Sequence, residues 1–432
     1  MSADVDFDVI VIGAGVAGAV CALRLARAGH EVVLIERGAE AGSKNLSGGV
    51  FYCRVLEEVF PGFVGQAPVE RRITRNVLSF LNDGSHVNID YWDARLADPV
   101  NAVTVLRAKL DPWLAGQCED AGAMVMPGVR VDSLLLDGDQ IVGVSAGEDE
   151  LRAHVVVAAD GVNSFLAQQA GIRTKEPPKH LAVGVKSVIG LPTSSIEERF
   201  HVDGDEGVAY AFVGDCTQRV AGGGFLYTNR DSVSLGVVLR LDDLAAKGLS
   251  SADVHDHFIS HPAVAPLIRG GELLEYGCHL TIEDGPAMAA HDLTRPGLVI
   301  IGDAAGLTLN TGLTIRGMDL AAGSGLAAAK AISAALAAGD YSQAAMDVYP
   351  AELARSFVGA DLRTYAQAPS FLENPRMYDD YGRLLADVMH GVYDHDLSPR
   401  RHLTRVAASA VRESGIGLGR IARDGWAAAR AL

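Results

Sequence analysis

Residues 7–36 read FDVIVIGAGVAGAVCALRLARAGHEVVLIE, and their reading decides the fold. The apolar run Phe7 to Ile12 predicts a buried strand. It enters Gly13-x-Gly15-x-x-Gly18, then an alanine-rich helix, then a second apolar strand, Val32 to Ile35, that ends in Glu36. Each part has a physical task. Gly13 permits a tight turn, Gly15 lets backbone approach a pyrophosphate where a side chain would collide, and Gly18 lets the helix pack on the strand. The helix start turns free N–H groups and positive dipole toward the phosphates. Glu36 stands where a carboxylate can accept from both ribose hydroxyls. The glycine spacing alone is weak evidence; with both strands, the helix and the acid it reads as a dinucleotide-binding βαβ unit.

The composition narrows the class further. The chain has 432 residues, 49% hydrophobic and 21% charged, with a net charge of −17. That length exceeds one ordinary domain and supports a large core. The negative charge repels nucleic acid, which is excluded as a partner. The opening MSADVDFD has no basic n-region or apolar h-region, so no signal peptide is expected. No uninterrupted apolar run approaches the ~18 residues that span a bilayer, so a cytoplasmic protein is expected, with peripheral membrane contact left open. Cys21, Cys53, Cys118, Cys216 and Cys278 are widely spaced without a Cys-x-x-Cys pair. This argues against a zinc site, an iron–sulfur cluster held by this chain, or a disulfide framework; most should be small buried hydrophobes.

Beyond Glu36 comes a glycine-rich loop, GSKNLSGGVFY (residues 42–52). Residues 73–90 look strand-like. Arg107 starts a helix that residues 121–123 close. A strand, a hairpin turn at Asp137–Gly138, a second strand and a third ending in Asp160-Gly161 follow. Alternating patterns from residue 181 to 239 predict a mainly antiparallel sheet inserted into the nucleotide unit. GLVIIGDAAG (297–306) is another buried strand and turn, feeding a long helix from about residue 315 to 338, and the rest is mostly helical. Two separated segments thus share the nucleotide fold. A small NAD domain has no need of the distal one. FAD is longer, and Asp303, after an apolar strand, suits a second polar anchor for its ribityl chain.

These motifs together resemble the glutathione-reductase-type FAD fold, in the subgroup shared with aromatic hydroxylases and geranylgeranyl reductases. Longer blocks are more specific. GSKNLSGGVFY, GGGFLYTNRDSVSLGVVLRL (222–241), HPAVAPLIRGGELLEYGCH (261–279), GDAAGLTLNTGLTIRGMDLAAGSG (302–325) and FLENPRMY (371–378) resemble the FixC family of flavoproteins. These are relatives of electron-transfer-flavoprotein:quinone oxidoreductase, and the resemblance covers nearly the whole chain. It implies an α/β protein: a Rossmann FAD domain (1–75, 100–175 and 285–345), an inserted β-sheet substrate or quinone domain (76–99 and 176–284), and a helical C-terminal region (346–432).

The resemblance also implies cofactor contacts. Gly13, Gly15, Ala17 and Gly18 take the pyrophosphate, with Arg107 reaching the same region. Glu36 takes the ribose, and Arg37 and Val129 join the contact set. Ser43, Lys44, Asn45 and Gly48 lie near the flavin. Asp160-Gly161 matches the fold's Asp-Gly motif, and Gly302 and Asp303 meet the ribityl-phosphate end. Thr311, Gly312 and Leu313 lie beside the isoalloxazine, where N–H donors would stabilise the anionic reduced flavin. No protein acid, base or nucleophile is required, so no catalytic residue is assigned. The implied activity is FAD-dependent electron transfer from an electron-transfer-flavoprotein-like heterodimer to quinone or to a small ferredoxin-like iron–sulfur subunit. That subunit would supply the cluster this chain lacks. The alternative is a self-sufficient NAD(P)H-dependent reductase or hydroxylase.

Three further stretches carry open readings. Gly222–Gly224 marks either close backbone approach or the neighbourhood of a quinone pocket. His255, His257 and His261 are expected on an exposed helix, not around a metal. From residue 400 to the end there are seven arginines against Glu413 and Asp424, interleaved with Ile416, Leu418, Ile421 and Trp426. This segment could meet an anionic membrane, dock an acidic partner, or stand as a solvated helix.

Overall fold

The apolar strands of the opening motif are central to a parallel sheet. A computed structural model describes residues 5–43 and 49–432. Phe7–Ile12 pairs in parallel with Val32–Glu36 on one side and with Asp149–Ala158 on the other. Leu298–Ile300 and Met124–Pro127 extend the sheet outward, also in parallel. Val9, Ile10 and Val11 are fully buried, in a core that takes in helix Val16–Arg27 and the meander residues Leu134, Ile141 and Val144; that is why these strands read as continuous apolar runs. The turn and strand predicted around Asp137–Gly138 form an antiparallel meander, Ser133–Asp137 and Gln140–Ala146, on the end of Asp149–Ala158.

Two helices lock onto this sheet by close backbone approach. A Cβ at Gly18 would lie 2.0 Å from the Gly13 carbonyl oxygen, so helix Val16–Arg27 can seat only with glycine there. A Cβ at Gly325 would lie 2.6 Å from the Ala17 carbonyl oxygen, which brings helix Met318–Ala338 against the first helix. This second helix is long and apolar enough to cross a membrane, but 67% of its most apolar window is buried inside the protein. It starts at Met318 rather than near residue 315, because Ile315–Arg316 pairs with Leu309–Asn310 as a small hairpin.

The second sheet has nine strands. Glu272–Ile282, Leu181–Gly190, Ser232–Arg240, Gly222–Thr228 and Glu206–Gly214 follow one another antiparallel, matching the alternating patterns. Val69–Asn82 then pairs in parallel with Glu206–Gly214, and Ser85–Trp92 pairs with it antiparallel. Gly49–Tyr52 and Ala102–Val105 complete the far end. Along Leu181–Gly190, Val185 packs into a core with Leu235, Val237, Phe212 and Phe258. Gly184 and Lys186, one residue out of phase, face the other way, toward the nucleotide sheet.

Helix Ser251–Ser260 corrects the expectation of an exposed histidine helix. Val254, His255 and Phe258 are buried against the second sheet, because their spacing places them on one helical stripe. Each imidazole has its own partner: His255 with the Ser187 hydroxyl at 3.1 Å, His257 with Asp215 at 2.6 Å, His261 with the Asn82 carbonyl at 2.9 Å. Gly222–Gly224 shows close packing. A Cβ on Gly222, at φ +142°, would sit 1.9 Å from the Val238 carbonyl oxygen, and one on Gly224 would meet the Phe258 ring at 3.0 Å. Cys21, Cys53, Cys118 and Cys216 are buried, and Cys278 is exposed.

The chain ends in two amphipathic helices, Leu403–Ser414 and Leu418–Ala431. The last is fastened by Asp424, which accepts from Asn374 Nδ2 at 3.1 Å, Arg376 Nε at 2.7 Å and the Tyr381 hydroxyl at 2.6 Å. Desolvation opposes ionisation of this carboxyl, but the Tyr381, Arg376 and Asn374 hydrogen bonds outweigh it and hold it at about 2. A depressed carboxylate contributes stability above its unfolded value and loses it as pH falls toward the folded one. Attachment of the final helix is therefore complete above about pH 4 and weakens as pH drops toward 2. Asp424→Ala should release this helix at neutral pH, seen as fast tryptic cleavage at Arg420 and Arg423 while the remainder resists. Unchanged resistance would show that apolar packing alone holds it.

Candidate functional site

Both sheets open onto one cavity of about 760 Å³, within the range of cofactor-sized pockets, roughly 300–1,000 Å³. The opening motif forms one wall. Gly13, with φ +104°, turns so tightly that a Cβ would lie 2.3 Å from the Ala159 carbonyl oxygen. A Cβ on Gly15 would come within 3.4 Å of Arg107 Nη2. The guanidinium is thus held beside the glycine turn, its Nε and Nη2 clamped by Asp111 through two 2.7 Å bonds. Helix Val16–Arg27 begins at Gly15, and helix Met318–Ala338 begins at Gly317; neither start has a side-chain cap, and both line the cavity. Two uncapped helix starts on one space, with an arginine beside them, form a strong anion site.

Glu36 lines the same wall. Its Oε2 accepts from the Ala14 amide at 3.1 Å and its Oε1 from the Gly38 amide at 2.7 Å. This fixes the carboxylate while leaving lone pairs for further donors. Asp160 is half-buried, its Oδ2 accepting from the Leu166 amide at 3.1 Å while Oδ1 has no partner among the described residues. The Asp303 side chain, also half-buried, has among the described residues one long 3.4 Å contact from the Thr308 hydroxyl. Burial pushes both carboxyls up from the ordinary range, against the pull of Arg173 on each and of Arg107 on Asp303.

Most residues expected at the cofactor meet here. Gly13, Gly15, Ala17, Glu36, Arg37, Arg107, Val129, Asp160, Gly161 and Asp303 all line the cavity. Gly18 and Gly302 stand behind it as packing positions: a Cβ on Gly302 would lie 2.8 Å from the Ala17 Cβ, and its amide donates to Ser324 at 3.0 Å. Ser43 donates its hydroxyl to the Glu40 carbonyl at the surface. Thr311, Gly312 and Leu313 form the turn of the small hairpin: the Leu313 amide donates to the Thr311 hydroxyl and the Gly312 amide to Asn310. The neighbouring Ile315, Gly317 and Met318 line the cavity. Lys44, Asn45 and Gly48 lie outside the described residues.

Sequence reading missed the opposite wall. Gly184, Lys186, Phe225, Tyr227, Val238 and His279 come from four strands of the second sheet. Period-two alternation within each strand placed them in sets, but nothing local said which set faced the cavity. Lys186 is buried, its Nζ has no partner, and burial pulls it down to about 7 against the attraction of Glu275. His279 is likewise pushed down by burial.

The donor set fits a dinucleotide: bare helix starts and Arg107 for a diphosphate, Glu36 for a ribose, and half-buried, under-partnered carboxylates for a hydroxyl-bearing chain. Comparison with known proteins gives the cofactor. Residues 6–209 match the FAD binding domain, and residues 368–432 match the ETF-QO/FixC family C-terminal domain. The chain is 46% identical over 430 residues to the probable electron transfer flavoprotein-quinone oxidoreductase YdiS of Escherichia coli K12, covering 99% of this chain and 100% of that one. It is 45% identical to protein FixC of the same strain over 397 residues, 92% of each chain. In fold it resembles a geranylgeranyl bacteriochlorophyll reductase-like protein from Thermoplasma acidophilum (TM-score 0.72, 20% identity, 97% and 98% of the two chains). It also resembles the flavin-dependent brominase Bmp2 (TM-score 0.61, 17% identity, 94% and 98%). End-to-end likeness to these relatives, over a cavity built for FAD, makes this chain a member of the ETF-QO/FixC family of FAD-dependent electron-transfer oxidoreductases.

Proposed function

We infer that the protein relays electrons from an electron-transfer-flavoprotein-like heterodimer to a quinone or a small ferredoxin-like iron–sulfur subunit. The observation that carries this reading is the continuous likeness to a probable electron transfer flavoprotein-quinone oxidoreductase, family C-terminal segment included. The nucleotide fold alone would serve a reductase or a halogenase equally well. The scattered cysteines support a cluster on a separate subunit; among the described residues no group of His, Cys, Asp and Glu is arranged to hold a metal.

When bound, FAD supplies one- and two-electron redox chemistry at its ring. The residues divide the remaining work. Gly13, Gly15, Arg107 and the helix starts at Gly15 and Gly317 hold the diphosphate, Glu36 and its backbone clamp orient the ribose, and Asp160 and Asp303 anchor the polar chain. Ala17, Arg37, Val129 and Gly161 complete that contact set. Phe225, Tyr227 and Val238 wall the far side and keep water out. The exposed Leu418 and Trp426, with Arg430 stacked 4.7 Å over the Trp426 ring, give the basic end a surface for an acidic partner or an anionic membrane face.

Asp303→Ala and Glu36→Ala each delete a charged acceptor worth about 1.5–3 kcal/mol. FAD should bind about ten- to a hundredfold more weakly to each, read as loss of yellow colour and FAD stoichiometry on purification. Full occupancy in both variants would overturn the site assignment. Anaerobic absorbance tests the relay itself. The flavin should bleach with a reduced electron-transfer flavoprotein and stay oxidised with NADH or NADPH. Rapid bleaching by a nicotinamide alone would make this a self-contained reductase or hydroxylase.

A further inference from the structure

Lys186 occupies an unusual place in the second sheet. It is directly opposite Gly236 on one side and Gly277 on the other, with Phe225 paired to Gly236 on the next strand. Directly opposed residues share a face, so two glycines clear a slot around the lysine stem and an aromatic ring closes it. The amine enters the cavity from the wall that carries no phosphate- or ribose-binding group. The opposite wall already fixes the adenosine and diphosphate, so the second sheet faces the rest of the cofactor.

We propose that the Lys186 amine is the counter-charge to the reduced flavin, taking a proton from water as electrons arrive. Two electrons and one proton pass to the flavin to give its anionic reduced form, and a second proton from solvent forms an N–H bond at Nζ, converting amine to ammonium. The inference rests on the bound FAD, not on which partner reduces it. Glu275 and His279 lie on Glu272–Ile282, Tyr227 on Gly222–Thr228, and Arg107 with Asp111 on the helix after Ala102–Val105. Asp303 lies on the turn after Leu298–Ile300. Ser232–Arg240 presents Ser232, Ser234, Gly236, Val238 and, at its end, Arg240 on this face, Arg240 donating to Asp242, and His255 contacts Ser187 on the opposite face. Glu275 draws a proton onto Lys186 and Arg107 repels it, while burial outweighs both and lowers the amine to about 7. A negative charge arriving in the same low-dielectric space reverses the balance and raises it again.

The sign follows. Below about pH 7 the ammonium is present in both redox states and no extra proton is taken up. Above it the oxidised protein holds a neutral amine, so reduction takes up one more proton and the potential falls more steeply with pH. The test is a dye-mediated dithionite titration of the FAD-loaded protein from pH 6 to 9. Wild type should show a steeper slope above about pH 7. Lys186→Met should shift the oxidised–reduced balance at neutral pH about tenfold toward oxidised, roughly 30 mV for a two-electron couple, and lose the break. Lys186→Arg should keep a high potential with no break. A Lys186→Met protein with wild-type potential and break overturns the proposal, as does one whose only change is a raised KM for an electron acceptor. If Lys186→Met does not retain FAD, the arginine variant decides, because a surviving break refutes the assignment.

Discussion

The structure depends on backbone approaching backbone at the glycines of the first turn. At Gly13, Gly18 and Gly325 a single added carbon would lie 2.3, 2.0 and 2.6 Å from a carbonyl oxygen. These contacts set the first helix on the central strand and the long helix on the first. Because the two helices pack together near their starts, Gly15 and Gly317 both open onto one cavity. The anion site is thus a consequence of packing, and it uses partial charges that no substitution on a side chain can remove. Alanine and glycine dominate helix Met318–Ala338 for the same reason: small residues permit the approach, and the helix is apolar because it is buried.

The cavity gathers groups that a closed apolar core could not hold. Lys186 is buried and Asp160 and Asp303 are half-buried, all with few partners, and each is shifted toward its neutral form by the loss of water. Burying such groups unpaired costs several kcal/mol apiece unless a ligand completes them. Their concentration on one space marks it as a ligand site more firmly than its volume does. A further acid, the buried Glu283, raised to about 7 by desolvation despite a 3.5 Å contact from Asn310, lies beside the hairpin that precedes the long helix.

One wall of this site was legible in the sequence and the other was not, and the reason is range. Gly13, Gly15 and Glu36 belong to a single βαβ unit whose geometry is local, so the spacing together with the flanking strands and helix located them. Asp160 and Asp303 were legible because each ends an apolar strand of the same parallel sheet. Lys186, Tyr227 and His279 sit on strands joined only by long-range pairing. Their alternation gave the strands and the antiparallel class, but the facing side depends on which helix covers the back. That helix is Ser251–Ser260, expected to be exposed from the residues around its histidines; each imidazole in fact finds a partner. The hairpin at Thr311–Leu313 shows the same limit. Its threonine hydroxyl competes for the local amides, and the cavity-lining positions fall a few residues later.

This division between the walls also bears on how one fold serves several chemistries. The geranylgeranyl reductase-like protein and the brominase share the architecture at 20% and 17% identity. A wall built from glycine turns and helix starts tolerates such divergence, since it asks little of individual side chains. The second sheet is different: each inward position is a free choice among residues that fit a pleated surface. Here one of those positions holds Lys186 between Gly236 and Gly277. A substitution on the antiparallel sheet can therefore change the charge on that face of the cavity while the turns and helix starts of the parallel sheet stay as they are.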